Sequence, residues 1–398
     1  MCVTPVVPHD GMDNAGGNYL QAVHRWWVDQ GHRVDVLAPD VPINRRNRER
    51  PGAPTHVRLL GRAANRWQGP LTLAAHQLDR GWRRVDPSAP PLSVVVGLLL
   101  APESRAVLRD ADIVDLQWSE QIRLAPLLQR LAPRARLVAT FHDVLSQRFD
   151  RNAATADPAR SVAAWRRAAR LAGRSERAAG ARFDVITALS DKDGTLLARQ
   201  GVASRVITVD PPLADGSVPV RRPSESPTVI FVGSLSRTDN ADAVVWLCDD
   251  IWPRIAEAEP AARLLVVGSN PTPDVVNAVA RTTGAELTGF VPDLAEVYAR
   301  AWVAVVPLRR GAGVKFKTIE AMVANVPTVA TTVGAEGISA ADRIAGVVDD
   351  AEAFAAVVSS VLEQPEPWEA TATDLGQWSR ERYGPERFAV TMAQVYGA

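Results

Sequence analysis

Short apolar runs rich in Val, Ile and Leu alternate along this chain with longer amphipathic stretches. That alternation predicts an α/β protein built on parallel sheets. The first apolar run covers residues 2–7, and a glycine-containing loop follows at 9–17. Over 18–30, Leu20, Val23, Trp27 and Val28 recur at helical spacing, and Gly31 can stop the helix. Further strands are expected at 33–38, 113–116, 136–141, 185–189 and 206–209. The segment 211–227 is proline-rich and lacks apolar periodicity, as a linker does. The strand pattern restarts at 228–232 and recurs at 263–267, 285–288, 303–306 and 328–331. The expected organisation is a first domain at 1–212, a linker at 213–226, a second domain at 227–380 and a closing helix at 381–398. Ligands of such sheets bind beyond the carboxyl ends of the strands, so the cleft between the domains is the expected site.

Composition narrows the classes. A chain of 398 residues exceeds one typical core, in agreement with two domains. Equal acidic and basic counts, 45 each, argue against a broad nucleic-acid-binding surface. Cys2 and Cys248 lack the spacing of a metal site or a disulfide framework. The longest apolar run, around 92–101, is far short of a membrane span, and no signal peptide is visible. The expectation is a cytoplasmic enzyme. A buried central strand needs about five or six residues. A first strand opening at Cys2 therefore suggests a native start upstream of Met1.

The candidate chemistry lies where the charge pattern changes. The chain has 42 arginines and only three lysines, and two of these, Lys315 and Lys317, sit in Gly311-Ala312-Gly313-Val314-Lys315-Phe316-Lys317. A lysine binds phosphate as a compact point charge, and a helix N-terminus adds free N–H groups and a favourable dipole. Two solvent-facing lysines on an ordinary helix are the plain alternative. Glu320, inside the apolar helix that follows, needs hydrogen-bond donors, and sugar hydroxyls would serve. The stretch 287–293, with Gly289, Phe290 and Val291, could present backbone amides to a flat base. Gly16 and Gly17 could let a ligand approach the backbone, although the dinucleotide fingerprint is absent. His142 and Asp143 follow a strand end, where a polar pair is either ligand-facing or a satisfied structural feature. Ser190 reads as a helix cap. An arginine-rich stretch carries Arg45, Arg46, Arg48, Arg50, Arg62, Arg66, Arg80, Arg83 and Arg84, interleaved with Trp67, Leu71, Leu73, Leu78 and Trp82. It reads either as a lip touching anionic lipid or a lipid-linked acceptor, or as an acceptor-side loop with solvated arginines.

Taken together, these motifs resemble the retaining, nucleotide-sugar-dependent glycosyltransferases of family 4, also called group 1, which have the GT-B fold. The matching elements are Phe231-Val-Gly-Ser-Leu-Ser236, Leu265-Val-Val-Gly268, Thr288-Gly-Phe-Val291 and Val306-Pro-Leu308. They continue with Gly311-x-Gly-x-Lys-x-Lys-x-x-Glu-Ala321, Val326-Pro-Thr-Val329 and Gly334-x-x-Gly337. Thr4-Pro with Gly16-Gly17, Gly31-His-Arg-Val-Asp-Val36 and Thr140-Phe-His-Asp143 extend the likeness to the first half.

The resemblance implies two Rossmann-like domains facing across a cleft, with a last helix crossing back to the first. It implies a UDP-, GDP- or dTDP-sugar donor, no bound cofactor, no metal ligands, and a glycan, lipid-linked or small-molecule acceptor. Peripheral contact at the inner membrane face is one option that the arginine-rich stretch leaves open. By position, Glu320 meets the ribose hydroxyls and the 289–291 backbone meets the base. Gly16 and Gly17 lie against phosphate or acceptor, and His142 lies near the transferred sugar. The family's donor-sugar glutamate is replaced by Ala312. Its diphosphate-gripping Arg and Lys after residues 229–232 are replaced at Ser234, next to Gly233, and near Asn240. Lys315 or Lys317 is then expected to supply the lost charge. The alternatives are a nucleotide-sugar epimerase of the same fold and a degenerate sugar-nucleotide-binding protein.

Overall fold

The computed structural model describes residues 1–12, 14–61, 68–154, 159–202, 205–213 and 220–397; side chains at 68–70, 72, 73, 80 and 159–160 are outside the description. The chain divides into two compact units, Met1–Val209 with Ala389–Ala398, and Asp210–Phe388. The division falls at the start of the proline-rich segment, and the tail of the last helix belongs to the first unit.

In the first unit, strands β1 (Cys2–Val3), β2 (Asp35–Pro39), β3 (His56–Leu60), β4 (Ile113–Gln117), β5 (Arg136–Phe141), β6 (Val185–Ala188) and β7 (Arg205–Thr208) form one sheet. Their order is β3-β2-β1-β4-β5-β6-β7, with parallel pairing throughout. The chain order reverses between β1 and β4, which is where ligands of such sheets bind. On β4 the buried Val114 and Leu116 point into an apolar core with Leu98, Leu108 and Leu128. The alternate positions Asp115 and Gln117 face the other way, since side chains of a strand alternate. That second face carries a polar stripe.

In the second unit, β8 (Thr228–Val232), β9 (Arg263–Val267), β10 (Ala285–Gly289), β11 (Val303–Val306), β12 (Thr328–Ala330) and β13 (Gly346–Val347) form a parallel sheet. Its order is β10-β9-β8-β11-β12-β13, with the reversal between β8 and β11. Val229, Phe231, Val303 and Val305 face one core; Ile230, Val232 and Ala304 face another. Burial on both faces explains why these strands read as continuous apolar runs.

Several boundaries differ from the sequence expectation. The first strand is only Cys2–Val3, because Thr4 turns back to bond Val6 through its hydroxyl. The first helix begins at Ala15, three residues before the expected start at 18, because Asn14 caps it by accepting from the Gly17 N–H at 2.8 Å. Gly16 and Gly17 therefore lie in a first helical turn and not in a loop. The closing helix is broken: one ends at Arg382 and the next, Pro385–Tyr396, follows Gly384. Strand β3 lay in the arginine-rich stretch and was not anticipated. Ser190 does cap the helix Asp191–Arg199, accepting from the Asp193 N–H.

Candidate functional site

In the second unit the loop after β11 carries the lysine motif. Gly311 and Gly313 have φ of 111° and 76°, a left-handed conformation that costs glycine little. The loop turns sharply and enters the helix Phe316–Val323 with Lys315 at its cap position. The Lys315 ammonium is buried and donates to the carbonyls of Ala312, at 3.1 Å, and Gly313, at 2.6 Å. It also faces the buried Glu336 carboxylate at 3.7 Å. This lysine braces the loop.

Lys317 is placed differently. Its ammonium donates to Asn240 Oδ1 at 2.8 Å and sits 4.3 Å from the centre of the Phe231 ring. Asn240 is itself fixed by donating to the Ser234 carbonyl at 2.8 Å. A methyl group at Gly233 would lie 2.7 Å from the Lys317 nitrogen, so glycine is what lets the ammonium reach the end of β8. Burial pushes the Lys317 ammonium down to about 7, against the upward pull of Asp239 and Glu320. An anion arriving here would restore the charge. Arg309 and Arg310, by contrast, are engaged by Asp242.

Glu320 lies one helical turn beyond Lys317. Tyr298 donates its hydroxyl to Glu320 Oε2 at 3.2 Å, and Oε1 has no partner among the described residues. Burial raises the Glu320 carboxyl above its usual range. At the end of β10, Gly289 turns at φ 74° and leaves the Phe290 ring 66% exposed, while Val291 packs inward. Ala312 and Val314 line the loop without polar side chains, and among the described residues the Ser234 hydroxyl meets only that of Ser236, at 3.3 Å. Tyr298, Asp239 and Glu336 join this site, although no spacing in the sequence marks their role, and so does Phe231, which opens one of the family-like motifs.

In the first unit, His142 follows β5, and its ring stacks on Trp118 with centroids 4.0 Å apart and planes at 10°. Tyr19 packs against it edge-on at 5.4 Å. Trp118, directly after β4, holds φ at 76°, a strained conformation for a bulky residue. A methyl at Gly16 would lie 2.8 Å from the Trp118 ring and 3.2 Å from His142 Nδ1. The helix N-terminus, the tryptophan and the histidine thus meet closely. Burial lowers the His142 imidazole to about 3, so it is neutral at pH 7. His142 Nε2 lies 3.1 Å from Gln117 Oε1. Asp143 is held by Arg148 at 2.9 Å.

In the arginine-rich stretch, Arg45 is paired with Asp40 and Arg48 with Glu49. Leu71, Leu78 and Trp82 are exposed on the helix Gln68–Val85. Arg62, Arg66 and Trp67 lie outside the described residues, as do the side chains of Leu73 and Arg80. Among the described residues no cluster of His, Cys, Asp or Glu could hold a metal ion. No described helix is long and apolar enough to cross a membrane.

Two parallel sheets with glycine-bearing turns at both reversal points define a pair of Rossmann-like units. Residues 16–215 match the family model described as Glycosyltransferase Family 4, and residues 226–364 match the one for Glycosyl transferases group 1. The chain belongs to the family 4 glycosyltransferases. A D-inositol 3-phosphate glycosyltransferase from Segniliparus rotundus is 30% identical over 182 residues, which is 38% of this chain and 39% of that protein. The chain spans less than half the length of the curated relatives it matches. Two solved structures share its GT-B fold. Sucrose-phosphate synthase from Thermosynechococcus elongatus has a TM-score of 0.71 at 17% identity, covering 100% of this chain and 98% of that one. Anabaena HepE in complex with UDP has a TM-score of 0.68 at 13% identity, covering all of both chains.

Proposed function

We propose that the protein transfers a sugar from a nucleoside diphosphate sugar to a hydroxylated acceptor, with retention at the anomeric carbon. The acceptor classes are a glycan, a lipid-linked sugar or a small molecule. The observation that carries this reading is the pairing of Lys317 and Glu320 one turn apart on a helix entered through the Gly311–Gly313 turn. An ammonium poised near 7 suits a diphosphate, and a carboxylate with one open oxygen suits vicinal hydroxyls. Lys317 takes the negative charge that builds on the departing diphosphate, the electrostatic contribution that dominates many such reactions. Lys315 fixes the loop that presents Gly311, Ala312, Gly313 and Val314. The Gly289 to Val291 turn, with the exposed Phe290 ring, receives the base, and Gly233 and Ser234 line the phosphate end.

In the transfer, the bond from the anomeric carbon to the phosphate oxygen breaks while the acceptor oxygen bonds to that carbon from the same face. The acceptor proton passes to the leaving phosphate, so no side-chain base is required. His142 is neutral and positions the sugar, and the turn at Gly16 and Gly17 adjoins it. UDP is the first nucleotide to test, because the HepE structure contains it. Peripheral contact with anionic lipid is part of the acceptor reading, since Leu71, Leu78 and Trp82 are exposed beside several arginines. Absence of liposome binding at low salt removes that part.

The test is a thermal-shift and donor-hydrolysis screen over UDP-, GDP- and dTDP-sugars. One donor should raise the unfolding midpoint and be hydrolysed. A second reading, a sugar-nucleotide-binding protein without catalysis, is favoured by Ala312 and Ser234; it predicts stabilisation with no hydrolysis at any acceptor concentration. Release of an epimerised sugar nucleotide without any acceptor would instead identify an epimerase.

A further inference from the structure

The polar stripe on β4 has an order that bears on His142. Gln117 Nε2 donates to Asp115 Oδ1 at 2.7 Å and lies 3.0 Å from Thr140 Oγ1, and Tyr396 donates its hydroxyl to the other Asp115 oxygen. Thr187 Oγ1 donates to Thr140 Oγ1 at 3.0 Å. Asp115, Gln117, Thr140 and Thr187 are at most 2% exposed. A carboxylate only accepts, so Asp115 forces the amide NH2 of Gln117 toward itself and turns Oε1 toward His142. An amide oxygen also only accepts, so His142 Nε2 must carry the ring proton. Nδ1 is then an acceptor on the side of Gly16.

We infer that Gln117, oriented by Asp115 and Tyr396, is a positioning residue that locks His142 in its Nε2–H tautomer, so that Nδ1 accepts a hydrogen bond from a ligand hydroxyl. The inference deepens the glycosyltransferase reading, on which the ligand's identity as a sugar rests. The chemistry it selects is specific. A hydroxyl can donate to Nδ1, whereas an ionised phosphate or carboxylate cannot. Burial raises the Asp115 carboxyl only to about 6, so it remains a carboxylate at pH 7 and the orientation holds.

The chain of groups also gives the last helix a role in the first unit. Tyr396 is clamped by Trp26 and Trp27, with ring centroids 5.8 and 5.5 Å away. Tyr396 and Asp115 border a cavity of about 320 Å³ that reaches Trp27, His32 and Asp35. Water in that cavity can replace a lost tyrosine hydroxyl, so Tyr396→Phe should disturb His142 less than Gln117→Leu.

The experiment is imidazole ¹⁵N–¹H NMR on the full chain at pH 7, with the His142 signals assigned by their loss in His142→Asn. The expected result is a single Nε2–H tautomer in the wild type and a mixed or Nδ1–H state in Gln117→Leu. With the active donor, Gln117→Leu should lower kcat by about 10- to 100-fold, the scale of a misplaced positioning contact. The donor KM should stay unchanged, and Tyr396→Phe should be milder in both readouts. A wild-type Nδ1–H or mixed tautomer, or a Gln117→Leu spectrum identical to wild type, overturns the inference. Because the spectrum needs no donor, lack of transfer by the wild type would refute the enzymatic reading while the tautomer is still decided.

Discussion

The candidate sites of the two units are assembled in different ways. In the second, Gly311, Gly313, Lys315, Lys317 and Glu320 arrive on ten consecutive residues, a loop and the helix it feeds. In the first, the surroundings of His142 come from four separate pieces of chain: Gly16 after β1, Gln117 and Trp118 at the end of β4 and just beyond it, His142 after β5, and Tyr396 near the end. A site written on one segment keeps its geometry through local backbone. A site collected from distant segments depends on packing and on buried polar partners such as Asp115. Damage to the two should therefore look different.

The largest expected effect falls on the contiguous site. Lys317→Met should weaken binding of the active nucleoside diphosphate by about 10- to 100-fold, the worth of one charged hydrogen bond. Equilibrium titration checks this, and retained affinity would move the diphosphate elsewhere. Glu320→Gln keeps the shape but loses the charge. About a tenfold loss of donor affinity is expected, with the base dissociation constant less affected when the free nucleobase is the probe. In the collected site, Gly16→Ala puts a methyl against the Trp118 ring and should destabilise the protein by about 1–3 kcal/mol. Chemical denaturation measures that loss. Nucleotide binding should persist in the same variant, since the residues proposed to hold the nucleotide are in the other unit; if binding vanished too, the two sites would not be separable.

This contrast also explains what the sequence made legible. The central strands of the second unit, β8, β11 and β12, are buried on both faces and announce themselves as apolar runs, and its loop places two of the rare lysines just after a glycine pair. The division of labour between those lysines was not readable. Lys315 and Lys317 differ only in which way a helix start points them, one back to the carbonyls of Ala312 and Gly313, the other toward Asn240. Tyr298 is 22 residues from Glu320, and no local spacing joins them. In the first unit, Asp115 and Gln117 look like ordinary polar alternation in a strand. Their meaning depends on Thr140, His142 and Tyr396, which only the sheet register and the last helix bring near. The start of the first helix was misread because Asn14 and not the apolar spacing sets it.

The most direct test of the central claim, that Lys317 is the ammonium that meets the diphosphate, is the pH dependence of UDP affinity between pH 7 and 9. The free protein holds Lys317 near 7 by burial, and a bound anion raises it. Binding should therefore take up a proton and weaken as pH rises through this window, by up to about tenfold per pH unit. Lys317→Met should bind weakly and without that slope. A wild-type affinity that is flat from pH 7 to 9, or a slope that survives in Lys317→Met, would contradict the account.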